Sequence, residues 1–172
     1  MVLFDLADSM IKNVFCDIVK PKVGSVVKTR LIGGVDHTGI YVGENRIVEL
    51  SGDGDIRIVS HKKFINGDDG SLARLGVYMY VACAQDDDGN CYALAAPDIA
   101  RRARNSVGET RDYNLLSENC HMFTEYCING KRNGNGILSS VELALWDKFN
   151  LTASNPHRLL DMWRSTGITA DD

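Results

Sequence analysis

The chain has 172 residues, of which 44% are hydrophobic, so it is long and apolar enough to fold as one domain around a buried core. Its 19 basic and 23 acidic residues are interspersed and give a net charge of −4, which excludes the basic surface typical of nucleic-acid-binding proteins. The five cysteines contain no Cys-x-x-Cys pair and fit neither a disulfide framework nor a structural zinc site. We therefore expect a reducing compartment, no cofactor and no metal.

The segment 1–20 carries Asp5 and Asp8 where a secretory signal peptide would be basic. No later apolar run is long enough to span a bilayer, so we expect no transmembrane segment and a cytoplasmic protein, or one that is exported without a signal peptide. Apolar residues at helical spacing predict an amphipathic helix over 2–19. Because its polar face is not basic, packing against the core is favoured over a stable position on a membrane, and transient membrane contact is left open.

From Val23 onward the pattern changes to short runs of β-branched and aromatic residues separated by turn residues. These runs predict a small antiparallel sheet over 23–81. The predicted strands are Ser25–Lys28, His37–Val42, Arg46–Leu50, Ile56–Val59 and Leu75–Val81.

Helix signals dominate the second half of the chain. One helix is predicted over about 117–129. The capping-box pattern Ser139-x-x-Glu142 predicts that C-terminal helices occupy 139–165, the last of which contains Trp163. The order of elements predicts a single α+β domain over 1–172, in which a small antiparallel sheet packs against helices.

Cys120 follows Asn119 inside the first turn of the predicted helix at 117–129. Unpaired backbone N–H groups and the positive end of the helix dipole favour the thiolate there. Since the thiolate is the form of sulfur that attacks carbonyl carbons, Cys120 is the candidate nucleophile. A cysteine in an apolar helix is also an ordinary packing residue, so the thiol by itself leaves catalysis open.

His37 begins a strand that is expected to pair with Arg46–Leu50 through a three-residue turn, Gly43-Glu44-Asn45. That register places His37 diagonally opposite Glu49 on one face of the hairpin, close enough to hydrogen-bond. Tyr41 shares this polar face, which we expect to meet the Cys120 helix. A carboxylate behind an imidazole fixes its tautomer, and the imidazolium in turn lowers the pKa of a nearby thiol.

These residues resemble the lecithin:retinol acyltransferase family and its H-RAS-like suppressor phospholipase relatives, a permuted branch of the NlpC-type papain-like fold. The family pattern is a His-x-x-x-Tyr-x-Gly strand, a polar residue in the next strand and a late Asn-Cys-Glu-His-Phe helix start. Here the matching segments are His37-Thr38-Gly39-Ile40-Tyr41-Val42-Gly43, Glu49 and Asn119-Cys120-His121-Met122-Phe123. The animal enzymes usually have histidine in place of Glu49, and His121-Met122 replaces their Glu-His pair.

The resemblance implies that Cys120 is the nucleophile, His37 the general base and acid, and Glu49 the group that orients His37. It implies a cysteine-nucleophile hydrolase or acyltransferase that works through a thioester, with an acyl-bearing lipid ester as the first substrate class. The Cys120 amide would hold the oxyanion, with Tyr41 or Asn119 in a supporting role.

Two other functions are left open by the sequence. One is a cysteine peptidase or amidase that acts on peptide or isopeptide bonds, since the wider fold does this with the same triad. The other is a non-catalytic binding module in which Cys120 is retained for packing. The acidic turns 52–55 and 86–89 lack the ligand spacing and closing glutamate of a calcium loop, so neither suggests a metal-dependent function.

Overall fold

The computed structural model describes residues 18–31, 35–67, 78–112, 119–132, 137–151 and 162–172. The predicted amphipathic helix at 2–19 falls outside these ranges except for its last two residues. Of these, Val19 donates a backbone hydrogen bond to Ser165 near the C-terminus. The single domain over 1–172 stays a prediction.

The described residues form seven strands and four helices, which confirms the α+β class. All strand pairs are antiparallel, in the order β4-β3-β2-β1-β5-β6, and β7 also pairs with β5. The strands are β1 Val26–Arg30, β2 Asp36–Gly43, β3 Arg46–Leu50, β4 Ile56–Ser60, β5 Tyr78–Gln85, β6 Cys91–Ala93 and β7 Trp163–Thr169. The helices are α1 His61–Asn66, α2 Pro97–Asn105, α3 Cys120–Asn129 and α4 Leu138–Lys148.

The C-terminal end of the chain corrects the predicted helices at 139–165. Trp163 and Arg164 belong to β7, where they pair with Ala82 and Val81 of β5. Backbone pairing with a neighbouring strand overrides the local helix signal here. The sheet therefore contains more of the chain than the predicted 23–81, because β6 and β7 extend it. The segment 152–161, in which the last helix was expected to begin, lies outside the described residues.

The start of α4 also differs from the prediction. The helix begins at Leu138 with Ile137 in the capping position, where no side chain caps the helix, rather than at a Ser139-x-x-Glu142 box. Glu142 instead accepts a hydrogen bond from the indole N–H of Trp163, with Nε1 and Oε1 2.7 Å apart. Tertiary contact with β7 has therefore replaced the local capping role of this carboxylate.

Apolar residues cover both faces of the sheet. One face packs against α2, α3 and α4, and its core includes Val26, Ile40, Val48, Leu50, Phe123 and Ile128. The opposite face packs against the short helix α1, and its core includes Val27, Ile47, Val59, Phe64, Ile65, Met79 and Val81. Since side chains alternate between faces, His37 and Glu49 belong to the second face, with Tyr41 and Ile47.

The β2–β3 hairpin reaches the predicted register by a different route. Its turn has two residues, Glu44 and Asn45, both with positive φ (52° and 54°), as a type I′ turn requires. A bulge between Tyr41 and Gly43 supplies the extra residue, so Ile40 still pairs with Val48. The bulge and the shorter turn together leave His37 diagonal to Glu49.

Gly39 is a residue of β2 that is packed so closely by its neighbours that no side chain would fit there. A Cβ there would stand 2.6 Å from Ile47 Cγ2, 2.9 Å from Val48 O and 3.0 Å from Phe64 Cε2. We expect Gly39→Ala to lower the free energy of unfolding by about 1–3 kcal/mol through overpacking, measured by urea denaturation.

Gly52→Ala is the matched control, because a Cβ at Gly52 meets no atom within 4 Å. The same change of residue type has the same effect on the unfolded chain, so the comparison isolates the native-state clash. Equal stabilities of the two variants would contradict the close packing at Gly39.

Candidate active site

Cys120 is the first residue of α3, and Asn119 caps the helix in an extended conformation. The Asn119 side-chain oxygen accepts hydrogen bonds from the backbone N–H groups of His121 (3.0 Å) and Met122 (3.1 Å). This cap satisfies first-turn donors that a helix start leaves unpaired. It holds Cys120, which is 4% exposed, at the positive end of the helix dipole.

His37 and Glu49 are brought together on the same face of the hairpin. His37 Nε2 lies 2.8 Å from Glu49 Oε2, and both side chains are buried. Phe64 of α1 packs against the imidazole, with ring centroids 5.1 Å apart. Since Nε2 is engaged by the carboxylate, Nδ1 is the ring nitrogen available to a second partner.

The thiol of Cys120 interacts with this imidazole. The two residues are 83 positions apart in the sequence, and their interaction contributes to the pKa changes of both groups. His121, the next residue, instead hydrogen-bonds through Nε2 to the backbone oxygen of Asp36, 2.8 Å away. Both interactions tie the start of α3 to the start of β2.

Helix α3 packs against a different face of the sheet from the one we expected. We expected the polar face of the hairpin to meet this helix, but α3 packs on the opposite, apolar face, with Phe123 and Ile128 in the same core as Ile40. Thr38, which shares that face, has its hydroxyl 3.0 Å from Thr124 Oγ1 and 3.3 Å from Cys120 O. Apolar burial decides the position of the helix, and only its N-terminal end reaches His37.

Arg57 is a residue of the site that was not predicted from the sequence. Its Nε and Nη2 atoms donate to Glu49 Oε1 at 3.1 and 2.9 Å, and Arg57 pairs with Glu49 across β3 and β4. The signal was present: when Leu50 and Ile56 pair across the connection 51–55, Glu49 and Arg57 lie directly opposite each other with opposite charges. Glu49, which is fully buried, thus touches one cationic side chain and one imidazole.

Of the two supporting residues that were expected, one lies at the site and the other does not. Asn119 supports it by capping α3. The Tyr41 hydroxyl accepts a hydrogen bond from the Asn45 backbone N–H at 3.3 Å, at the turn end of the hairpin. Tyr41 shares the face of His37, but its hydroxyl is engaged at the turn by Asn45, so nothing in this geometry adds support to the expected oxyanion role.

The electrostatics favour an ion pair between Cys120 and His37. Burial has the largest single effect and by itself raises the pKa of a thiol, but the charge and hydrogen bond of the imidazolium lower the pKa of Cys120 to about 6. Burial likewise disfavours the imidazolium, yet Cys120 and Glu49 together raise the pKa of His37 to about 9. Between these values thiolate and imidazolium coexist.

Cys127, two turns further along α3, has the opposite environment. It is fully buried in the apolar core, and burial strongly raises the pKa of its thiol. The same helix therefore carries one thiol that is activated by a charged partner and one that is a packing residue.

We expect iodoacetamide to alkylate Cys120 with a midpoint near pH 6, because the imidazolium of His37 stabilises the thiolate. Cys127 should stay unmodified until the protein unfolds. Peptide mapping by mass spectrometry across a pH series would follow each thiol separately. A Cys120 midpoint at the ordinary thiol value of about 8.5 would contradict the ion pair.

Within the described ranges, no group of three or more His, Cys, Asp or Glu side chains is arranged to hold a metal ion. In the same part of the chain, no helix is long and apolar enough to cross a membrane.

Comparison with known proteins shows to which family the chain is similar. The mouse (Mus musculus) protein named lecithin retinol acyltransferase is 32% identical to this chain, in an alignment that covers 66% of this chain and 55% of the mouse protein. The chain thus spans just over half the length of this curated relative. The sequence profile of the family described as Lecithin retinol acyltransferase matches residues 19–133, a range that includes His37, Glu49 and Cys120. The match covers most of the chain, and the protein belongs to the lecithin retinol acyltransferase family.

Proposed function

We propose that this protein is a thiol acyltransferase or acyl hydrolase that acts on lipid esters through a thioester on Cys120. The observation that carries the proposal is the buried contact series from Cys120 through His37 to Glu49, in a chain of the lecithin retinol acyltransferase family. The contacts support an activated thiol, and the family supports lipid acyl chemistry. Transient contact with a lipid surface follows from such a substrate.

In the first half-reaction the Cys120 thiolate attacks the ester carbonyl carbon, and the carbonyl π electrons move to oxygen. The oxyanion collapses, the carbon–oxygen bond to the alcohol breaks, and the His37 imidazolium protonates the departing alkoxide. The products are an acyl thioester on Cys120, a free alcohol and a neutral imidazole.

In the second half-reaction the neutral imidazole of His37 accepts a proton from water or from an acceptor hydroxyl or amine as that group attacks the thioester. Collapse of the second oxyanion breaks the carbon–sulfur bond and releases the thiolate. The imidazolium–thiolate pair is restored, so the cycle is closed without any external acid or base.

Glu49 orients the imidazole in this proposal. Its bond to Nε2 selects the tautomer in which Nε2 carries the proton and Nδ1 faces the thiol. Its negative charge also stabilises the imidazolium. A glutamate in this position therefore performs the orienting task that a histidine has in the animal enzymes.

The backbone N–H of Cys120 is the proposed oxyanion donor. The neighbouring N–H groups of His121 and Met122 are already engaged by the Asn119 side chain. The helix dipole adds positive potential where the oxyanion would form.

The pH dependence of kcat/KM with a lipid ester tests the ion pair. We expect a bell-shaped profile with limbs near pH 6 and pH 9. Activity falls below the lower limb because Cys120 is protonated, and above the upper limb because His37 no longer has a proton for the leaving group. A profile without an acidic limb near pH 6 would contradict the activated thiol.

Intact-mass spectrometry after brief exposure to phospholipid vesicles, acyl thioesters and peptide amides tests the function itself. We expect an acyl adduct on the wild type from a lipid ester, none on Cys120→Ala, and about 10²–10⁴-fold slower formation on His37→Ala. Cys91→Ala is the matched control, since Cys91 is a half-buried cysteine in β6.

The mass of the adduct distinguishes the remaining candidates. An adduct from the peptide amides alone would replace the lipid proposal by a cysteine peptidase or amidase. No adduct from any substrate would leave a binding module in which Cys120 is a packing residue. A reducing compartment such as the cytoplasm is proposed on the cysteine content alone.

A further inference from the structure

Glu49 is a fully buried carboxylate that is contacted on both of its oxygens. His37 engages Oε2, whereas the Nε and Nη2 atoms of Arg57 converge on Oε1. Because the two partners use different oxygens, rotation of the carboxylate away from His37 would break the Arg57 contacts. The guanidinium thus restricts the orientation of the group that orients the imidazole.

The contact between Arg57 and Glu49 is set by the pairing of strands in the sheet. Arg57 lies directly opposite Glu49 in the β3–β4 register, on the side away from His37, which comes from β2. Its side chain is 26% exposed, while that of Glu49 is 0% exposed. The guanidinium therefore reaches inward from the outer strand to the buried carboxylate.

The charges alternate along this series. Thiolate, imidazolium, carboxylate and guanidinium carry −1, +1, −1 and +1, so the four groups together are neutral. Without the guanidinium, the buried series would carry a net negative charge and Glu49 would compete with His37 for the proton that they share. A proton on Glu49 would leave the imidazole neutral and the thiol without its cationic partner.

We propose that Arg57 is a positioning residue that acts through Glu49 to keep the shared proton on His37 and thereby maintain the thiolate of Cys120. The inference rests on the proposed function in that it takes Cys120 and His37 as the reacting pair. It assigns no contact between Arg57 and the substrate.

Two further side chains of the described residues bear on the pair. His121 of α3 is a titratable side chain that acts on Cys120, and its ring is held by the backbone oxygen of Asp36. Phe64 of α1 packs against His37 and carries no charge. A change in the pH profile on substitution of Arg57 can therefore be traced through Glu49, since Arg57 substitutions leave these other groups in place.

The experiment measures iodoacetamide alkylation of Cys120 against pH, together with kcat and KM, in Arg57→Met, Arg57→Gln and Arg57→Lys. For Arg57→Met we expect the alkylation midpoint to rise by about one pH unit or more and kcat to fall about tenfold or more, with little change in KM. Arg57→Lys should recover part of both losses because it restores the positive charge. Arg57→Gln separates hydrogen bonding from charge and should recover less.

Arg132→Met is the matched control, since Arg132 also pairs with a glutamate, Glu109, but on the surface, with its side chain 58% exposed. It should leave the alkylation profile and kcat unchanged. Because Arg57→Met leaves a buried carboxylate without its guanidinium and can impair folding, the double variant Glu49→Gln/Arg57→Met is also measured. If Arg57 acts through Glu49, the double variant should match Glu49→Gln alone.

The outcomes separate this inference from the proposed function. Two results would overturn the positioning role: a folded Arg57→Met with the wild-type profile and kcat, or a double variant that is clearly worse than Glu49→Gln. In either case, acyl adducts on the wild type would leave the proposed function standing. A low wild-type midpoint that rises in Arg57→Met, without any acyl adduct, would support the positioning role and contradict the function. An ordinary midpoint in the wild type would overturn the positioning role, and the acyl adducts would decide the function separately.

Discussion

The buried carboxylate of Glu49 is the constraint on which the site depends. A fully buried anion is strongly unfavourable unless it is paired and hydrogen-bonded, and here the partners come from the two strands that flank β3. His37 of β2 and Arg57 of β4 can both reach it only if the three strands keep their register. The bulge in the β2–β3 hairpin and the register of the β3–β4 hairpin are therefore both needed to bring His37 and Arg57 to Glu49.

Helix α3 joins this arrangement to the rest of the core. Its apolar side chains pack on the face of the sheet that is opposite to His37, and this packing fixes where the helix begins. Asn119 caps that beginning and Cys120 occupies it, so burial of Phe123 and Ile128 indirectly determines the position of the thiol. Burial is the largest influence on both thiols of this helix: it raises the pKa of Cys127, whereas at Cys120 the imidazolium of His37 outweighs it and the pKa falls.

Several parts of the fold and site could be predicted because they depend on short-range patterns. Alternation along the strands and the length of the first hairpin placed His37 diagonal to Glu49, and the structure has this contact at 2.8 Å. The same reasoning predicts that Arg57 lies opposite Glu49 when it is applied to the register of the β3–β4 hairpin. Tyr41 shows the limit of the pattern, because a shared face does not say how far along the strand a long side chain will point.

The sequence by itself determined the α+β class, a helix that carries Cys120 near its start, and the pairing of His37 with Glu49, since each follows from local spacing and backbone hydrogen bonding. Only the tertiary structure decided which face of the sheet α3 covers and how its end meets His37, because those contacts join residues 83 positions apart. It also decided that Trp163 lies in a strand, since pairing with β5 outweighs a weak helix signal. Burial and long-range pairing, which local patterns do not encode, are the physical reason for this division.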